Sequence, residues 1–143
     1  MPDNQPAAQL SAAIGKVLAE AFQEIDKLPE MTWSFARGTA RVFVSVKPLH
    51  GRNFVQVRCP VLADAPGSSE LFEYVATHAD DYLFGHLSCA RRDGLVDVFL
   101  THVLSTTDLQ EAELVECVDA VIRQADQIDE QLVELFGGRT FRQ

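Results

Sequence analysis

The strongest constraint on the fold lies near the C-terminal end of the chain. Leu114, Val118, Val121, Ala125, Ile128, Leu132 and Leu135 recur at alternating steps of four and three, the spacing that stacks apolar side chains on one side of a helix. The stripe covers about six turns at 3.6 residues per turn. It is closed by Gly137-Gly138, which suit the C-terminal caps of a helix. Thr107 or Asp108 stands where an N-cap belongs, and Asp108 with Glu111 has the spacing of a capping box. An apolar stripe this long has to lie across a whole sheet or against a second chain.

The preceding sequence supplies the sheet. Leu10, Ile14, Val17, Leu18, Ala21, Phe22, Ile25 and Leu28 predict a first helix, stopped at Pro29. Over 32–63 the apolar period changes to two, with turn residues at Gly38 and at His50-Gly51-Arg52-Asn53, which predicts three strands. Ala40, Val42, Val44 and Val46 point one way and Arg41, Phe43, Ser45 and Lys47 the other; Val55, Val57, Cys59 and Val61 likewise oppose Phe54, Gln56 and Arg58. Residues 64–68 read as a loop, and Ser68 or Ser69 as the N-cap of a short helix reaching about Tyr82. Strands follow over 84–92 and 95–105, joined by Asp93-Gly94, a strong hairpin signal. The expected architecture is a two-layer α+β domain: a five-stranded antiparallel sheet with helices on one face, in the order α-β-β-β-α-β-β-α. One domain spans 1–143, with flexible ends at 1–8 and 139–143.

That order resembles the fold shared by type III secretion chaperones and the related YbjN-type proteins. The residues carrying the resemblance are the Asp93-Gly94 hairpin, the acidic final helix with Asp119, Asp126 and Asp129, and its Leu135-Phe136-Gly137-Gly138 terminus. The resemblance implies a small acidic cytoplasmic homodimer that holds a client polypeptide, often one bound for secretion. It brings no catalytic residues.

The residues themselves point away from chemistry. His86 and Cys89 are the nearest approach to a metal pair, and three apart on a strand they face opposite sides, so neither a metal nor another cofactor is expected. A nucleophile elbow and a phosphate loop are both absent. A small-molecule enzyme would need a pocket gathering several of His78, His86, His102 and Asp97, which nothing in the spacing demands. Cys59, Cys89 and Cys117 form no close pair, and the first residues lack the basic and apolar regions of a secretory signal. A cytoplasmic protein with reduced thiols and no membrane segment is the expectation.

Charge is unevenly distributed. The net −9 disfavours nucleic acid as a partner, yet residues 31–63 carry five bases and no acid, while 108–134 carry nine acids against Arg123 alone. If the valines face the helices, Phe43, Phe54 and Phe99 remain on the opposite face with Arg41 and Arg58, an aromatic and arginine composition enriched at binding surfaces. These five are the candidate residues for client binding or for a homodimer interface. The first reading is a non-enzymatic chaperone-like protein holding a client protein or peptide. The rival is a structural or regulatory subunit whose sheet face and final helix serve only assembly. An RNA-stacking sheet is disfavoured by the overall charge and by the lack of a matching motif.

Overall fold

In the computed structural model, which describes residues 5–141, the period-two segments pair into one antiparallel sheet and the apolar stripes of the helices close over one side of it. The elements are α1 (Ala7–Ala21), β1 (Asp26–Leu28), β2 (Thr32–Arg37), β3 (Ala40–Leu49), β4 (Arg52–Pro66), α2 (Ser69–His78), β5 (His86–Arg92), β6 (Leu95–Ser105) and α3 (Glu111–Phe136). Strands lie in the order β1-β2-β3-β4-β6-β5. Ala40, Val42, Val44, Val46, Val55, Val57, Cys59, Val61, Val96, Val98 and Leu100 are all buried beneath the helices. Their alternate neighbours form the outer face.

The α+β class and the one-sided helices are as expected, but the sheet has six strands, not five. The extra strand lies where the first helix was expected to continue to Pro29. That helix ends at Ala21, Phe22 takes an extended conformation, and its ring stacks on Phe35 of β2 at 4.5 Å. Phe22, Ile25 and Leu28 kept helical spacing, yet tertiary packing on β2 overrides a short stretch of periodicity. Similarly, β4 absorbs residues 64–66, which had read as loop, because Ala65 and Pro66 pair with Val96 and Leu95. The second helix ends at His78, not near Tyr82, with its Nδ1 and the hydroxyl of Thr77 in hydrogen-bonding reach of the last turn's carbonyls.

Turn chemistry follows the sequence more closely. Asp93-Gly94 has positive φ at both residues, 51° and 83°, as does His50-Gly51, 51° and 76°, the backbone that two-residue hairpins require. Ser68 caps α2 by accepting the Leu71 amide at 3.2 Å. Asp108 caps nothing: its φ is +55°, and α3 starts later, from Gln110 with no side-chain cap. Along α3 the stripe drifts, because an ideal helix turns about 20° away from a seven-residue repeat per heptad. Leu135 is consequently exposed, while Cys117, Ile122 and Asp129 join Leu114, Val118, Val121, Ala125 and Leu132 in the buried face.

Of the ends expected to be flexible, residues 1–4 and 142–143 lie outside the described residues. Ala7 and Ala8 form the first turn of α1, and Arg139 bridges to Ala63 of β4. Among the described residues, no helix is long and apolar enough to cross a membrane.

Candidate functional site

The register brings the candidate residues onto one surface. Phe43, Arg58, Thr101 and His86 form a row across β3, β4, β6 and β5; Ser45, Gln56 and Val103 form the next, and Lys47, Phe54 and Ser105 the one beyond. Phe99 stands opposite Pro60 and Ser88. Thus Arg41, Phe43, Phe54, Arg58 and Phe99 all sit on the outer face, each half-buried.

They do not form one uniform patch. Arg41 is occupied within the fold: its guanidinium donates to Ser34 Oγ at 2.7 Å and to Asp26 at 3.2 Å. Phe43 lies edge-on beneath Phe141, ring centroids 5.6 Å apart. Arg58 lies over the Phe99 ring at 4.3 Å while its Nε donates to Thr101 Oγ1 at 3.1 Å, and Arg52 lies over Phe54 at 5.3 Å. Cation–π contacts of this kind hold a guanidinium against the sheet, and Arg52 is held further by donating through Nη2 to Ser105 Oγ at 3.2 Å and Thr107 Oγ1 at 2.8 Å. Among the described residues, Lys47, Arg52 and Arg58 form no ion pair with a carboxylate.

Beside these bases is an apolar hollow of about 300 Å³ lined by Lys47, Leu49, Phe54, Gln56 and Val103. Leu49 and Val103 are 56 % and 52 % exposed, which leaves an apolar surface that none of the described residues covers. Neither residue was a sequence candidate. Val103 has the same strand parity as Phe99 and Thr101, so the signal was present; Leu49 lies past the alternation that marked β3. Arg52 had read as a turn residue.

The acids of α3 are partly committed to holding the fold. Asp119 accepts from Arg37 at 2.7 Å and from Arg123 at 2.9 Å, and the Arg37 hydrogen bond holds its carboxyl below the usual range. Asp126 accepts the Thr39 amide at 3.0 Å. The Thr39 hydroxyl lies 3.2 Å from Asp126 and 2.5 Å from Asp129, so α3 grips the β2–β3 turn. Asp129 is only 1 % exposed, and burial pushes its carboxyl up from the usual range. Glu111, Glu113, Glu116, Glu130 and Glu134 remain exposed, an acidic surface on the side away from the sheet.

The described residues contain no group of three or more His, Cys, Asp or Glu placed to hold an ion. His102 instead accepts the Gly85 amide through Nδ1 at 3.0 Å, with burial lowering its pKa. A larger concavity, about 570 Å³, lies elsewhere, between α1 and α3, lined by Val17, Phe22 and Val115 and rimmed by Glu20, Glu111 and Glu116. It is wide open and includes none of the candidate residues.

Residues 8–143 match the sequence profile of the family described as T3SS (YopN, CesT) and YbjN peptide-binding chaperone 1. The chain belongs to this family of peptide-binding chaperones. No curated protein matches. Among solved structures, the chain is similar to YbjN from E. coli, with TM-score 0.68, 9 % identity, and 87 % of this chain and 93 % of that one covered. It is also similar to a chain of the ExsC–ExsE complex, with TM-score 0.57, 12 % identity, and 88 % and 95 % covered. At such identities the likeness is one of fold.

Proposed function

We propose that this chain holds an extended client polypeptide on the outer face of its sheet, without covalent chemistry. The observation that carries the reading is the apolar surface of exposed Leu49 and Val103 with half-buried Phe54, set beside Lys47, Arg52 and Arg58, which have no carboxylate partner among the described residues. Client apolar side chains bury against Phe54, Leu49 and Val103, and client acids meet Arg58 and Lys47. Membership in a peptide-binding family supports the class of ligand. The charge arrangement selects among peptides, because an acidic apolar segment is attracted to the part of this face that carries Lys47, Arg52 and Arg58.

Screening a displayed peptide library against the protein tests this. Enrichment of acidic, apolar segments is expected, with binding weakened roughly 30-fold by Phe54→Ser, the equivalent of losing about 2 kcal/mol of apolar burial. Unchanged binding in folded Phe54→Ser and Phe99→Ser variants removes the face from consideration. A second copy is the rival occupant of the same surface, as a homodimer or as a subunit serving assembly alone. Light scattering separates the two: a closed dimer that takes no peptide at any concentration favours assembly.

A further inference from the structure

We propose that residues 139–141 are a built-in occupant of a peptide subsite on the outer face, and that this subsite takes extended segments of like chemistry, a basic side chain followed two residues later by an aromatic one. The inference rests on the reading that this face receives peptides and adds which part of it is already filled.

The strand register creates the opening. Phe43 pairs with Arg58, so Ala40, the first residue of β3, falls opposite Val61. β4 continues to Pro66, leaving its edge open on that side beyond β3. Arg139 takes the open edge: the Ala63 amide donates to the Arg139 carbonyl and the Arg139 amide to the Ala63 carbonyl, each at 2.8 Å. This is strand addition in miniature, the mode by which peptides join exposed sheet edges.

Two side chains complete the recognition. Arg139 Nε donates to Asp64 Oδ2 at 2.8 Å, and Asp64 also pairs with Arg92, which in turn bonds Asp97. Phe141 packs edge-on against Phe43. Between them Thr140 is fully buried. Backbone pairing, a carboxylate for the base and an aromatic platform are three elements of a peptide site, all engaged by the chain's own end. The termination of α3 requires none of them, since Gly137 already caps it by donating to the Val133 carbonyl at 2.8 Å. The strap does demand Gly138: a Cβ there would lie 2.5 Å from the Ala63 carbonyl oxygen. A hollow of about 180 Å³ remains between Phe99, Pro60, Asp97 and the strap.

The test uses a fluorescent peptide of residues 137–143, Gly-Gly-Arg-Thr-Phe-Arg-Gln, titrated in anisotropy against the full-length chain and its Arg139→Ala/Phe141→Ala double variant. The double variant is expected to bind it saturably. The unaltered chain should bind at least about tenfold more weakly, because its subsite is free only in the small fraction of molecules with the strap released. A peptide with alanine in place of its first arginine and its phenylalanine should not bind. The double variant keeps every strap backbone atom; a chain ending at Gly138 provides a second receptor. Failure of the peptide to bind both folded variants, or equal binding to variant and unaltered chain, overturns the proposal. The wider reading fails separately: loss of library binding with the strap peptide still bound leaves the subsite standing. Library peptides that depend on Phe54, with no strap peptide bound, leave only the wider face.

Discussion

Gly15 should resist the substitution that normally strengthens a helix. It lies buried in α1 beneath the indole of Trp33, and a Cβ at this position would meet three ring carbons at 2.2, 2.5 and 2.6 Å. The ring has to retreat by about 1 Å to restore ordinary contact. It is tethered against doing so, because Trp33 Nε1 donates to the Ser11 carbonyl at 2.9 Å and approaches the Ser11 hydroxyl at 3.2 Å. Overpacking costs about 1–3 kcal/mol, and loss of a half-buried indole hydrogen bond about 1–3 kcal/mol more. The helix-propensity gain of alanine over glycine returns only about 1 kcal/mol. Gly15→Ala is therefore expected to destabilise by about 1–5 kcal/mol, read from urea unfolding at unchanged slope. In a Trp33→Leu background the ring is gone, and the same substitution should cost nearly nothing. The difference between backgrounds is the coupling energy of a double-mutant cycle. An unaltered or raised stability for Gly15→Ala alone, or an equal cost in both backgrounds, refutes the reasoning.

Three further outcomes follow from the same contacts. The carboxyl of Asp129 is raised by burial, with Asp126 and Glu130 adding to the rise and Thr39 and the Glu130 amide opposing it. Its contribution to stability is thus complete below the usual value of 3.8 and is lost as pH rises through the elevated folded value. Asp129→Asn should flatten the decline in unfolding free energy that sets in as pH rises above 3.8; an unchanged profile contradicts the assignment. His102 has the opposite sign: its pKa is lowered by burial and by His86, so the stability it lends is present above 6.5 and lost as pH falls through the lowered value. His102→Gln should lose that slope in the same titration. Gly138→Ala should destabilise by about 1–3 kcal/mol and raise exchange of the Ala63 amide, since both its φ of +81° and the Ala63 carbonyl oppose a side chain; unaltered exchange argues against a seated strap.

What the sequence made legible follows from the strength of its periodicities. The strand alternation at Val42–Val46 and Val55–Val61 assigns buried and outer faces correctly because one face is valine throughout except for Cys59. The same alternation put Arg41, Phe43, Phe54, Arg58 and Phe99 on one surface before any register was known. It could not show that Arg41 is spent on Asp26, a residue that had read as helical, or that Phe43 is covered by Phe141 from the far end of the chain. Both depend on long-range placement. β1 escaped for a related reason: three residues carry too little period to outweigh a preceding helical stripe. In the sequence Asp126 and Asp129 stand out only as members of an acidic helix, yet they bind the β2–β3 turn because the drifting helix rotates them toward it.

The central claim is that the outer sheet face is the peptide-binding surface. Methyl and aromatic NMR of the protein titrated with its best library peptide tests it most directly. The account predicts intermolecular contacts to Leu49, Phe54, Phe99 and Val103. Contacts confined to Val17, Phe22 and Val115, in the groove between α1 and α3, would contradict it.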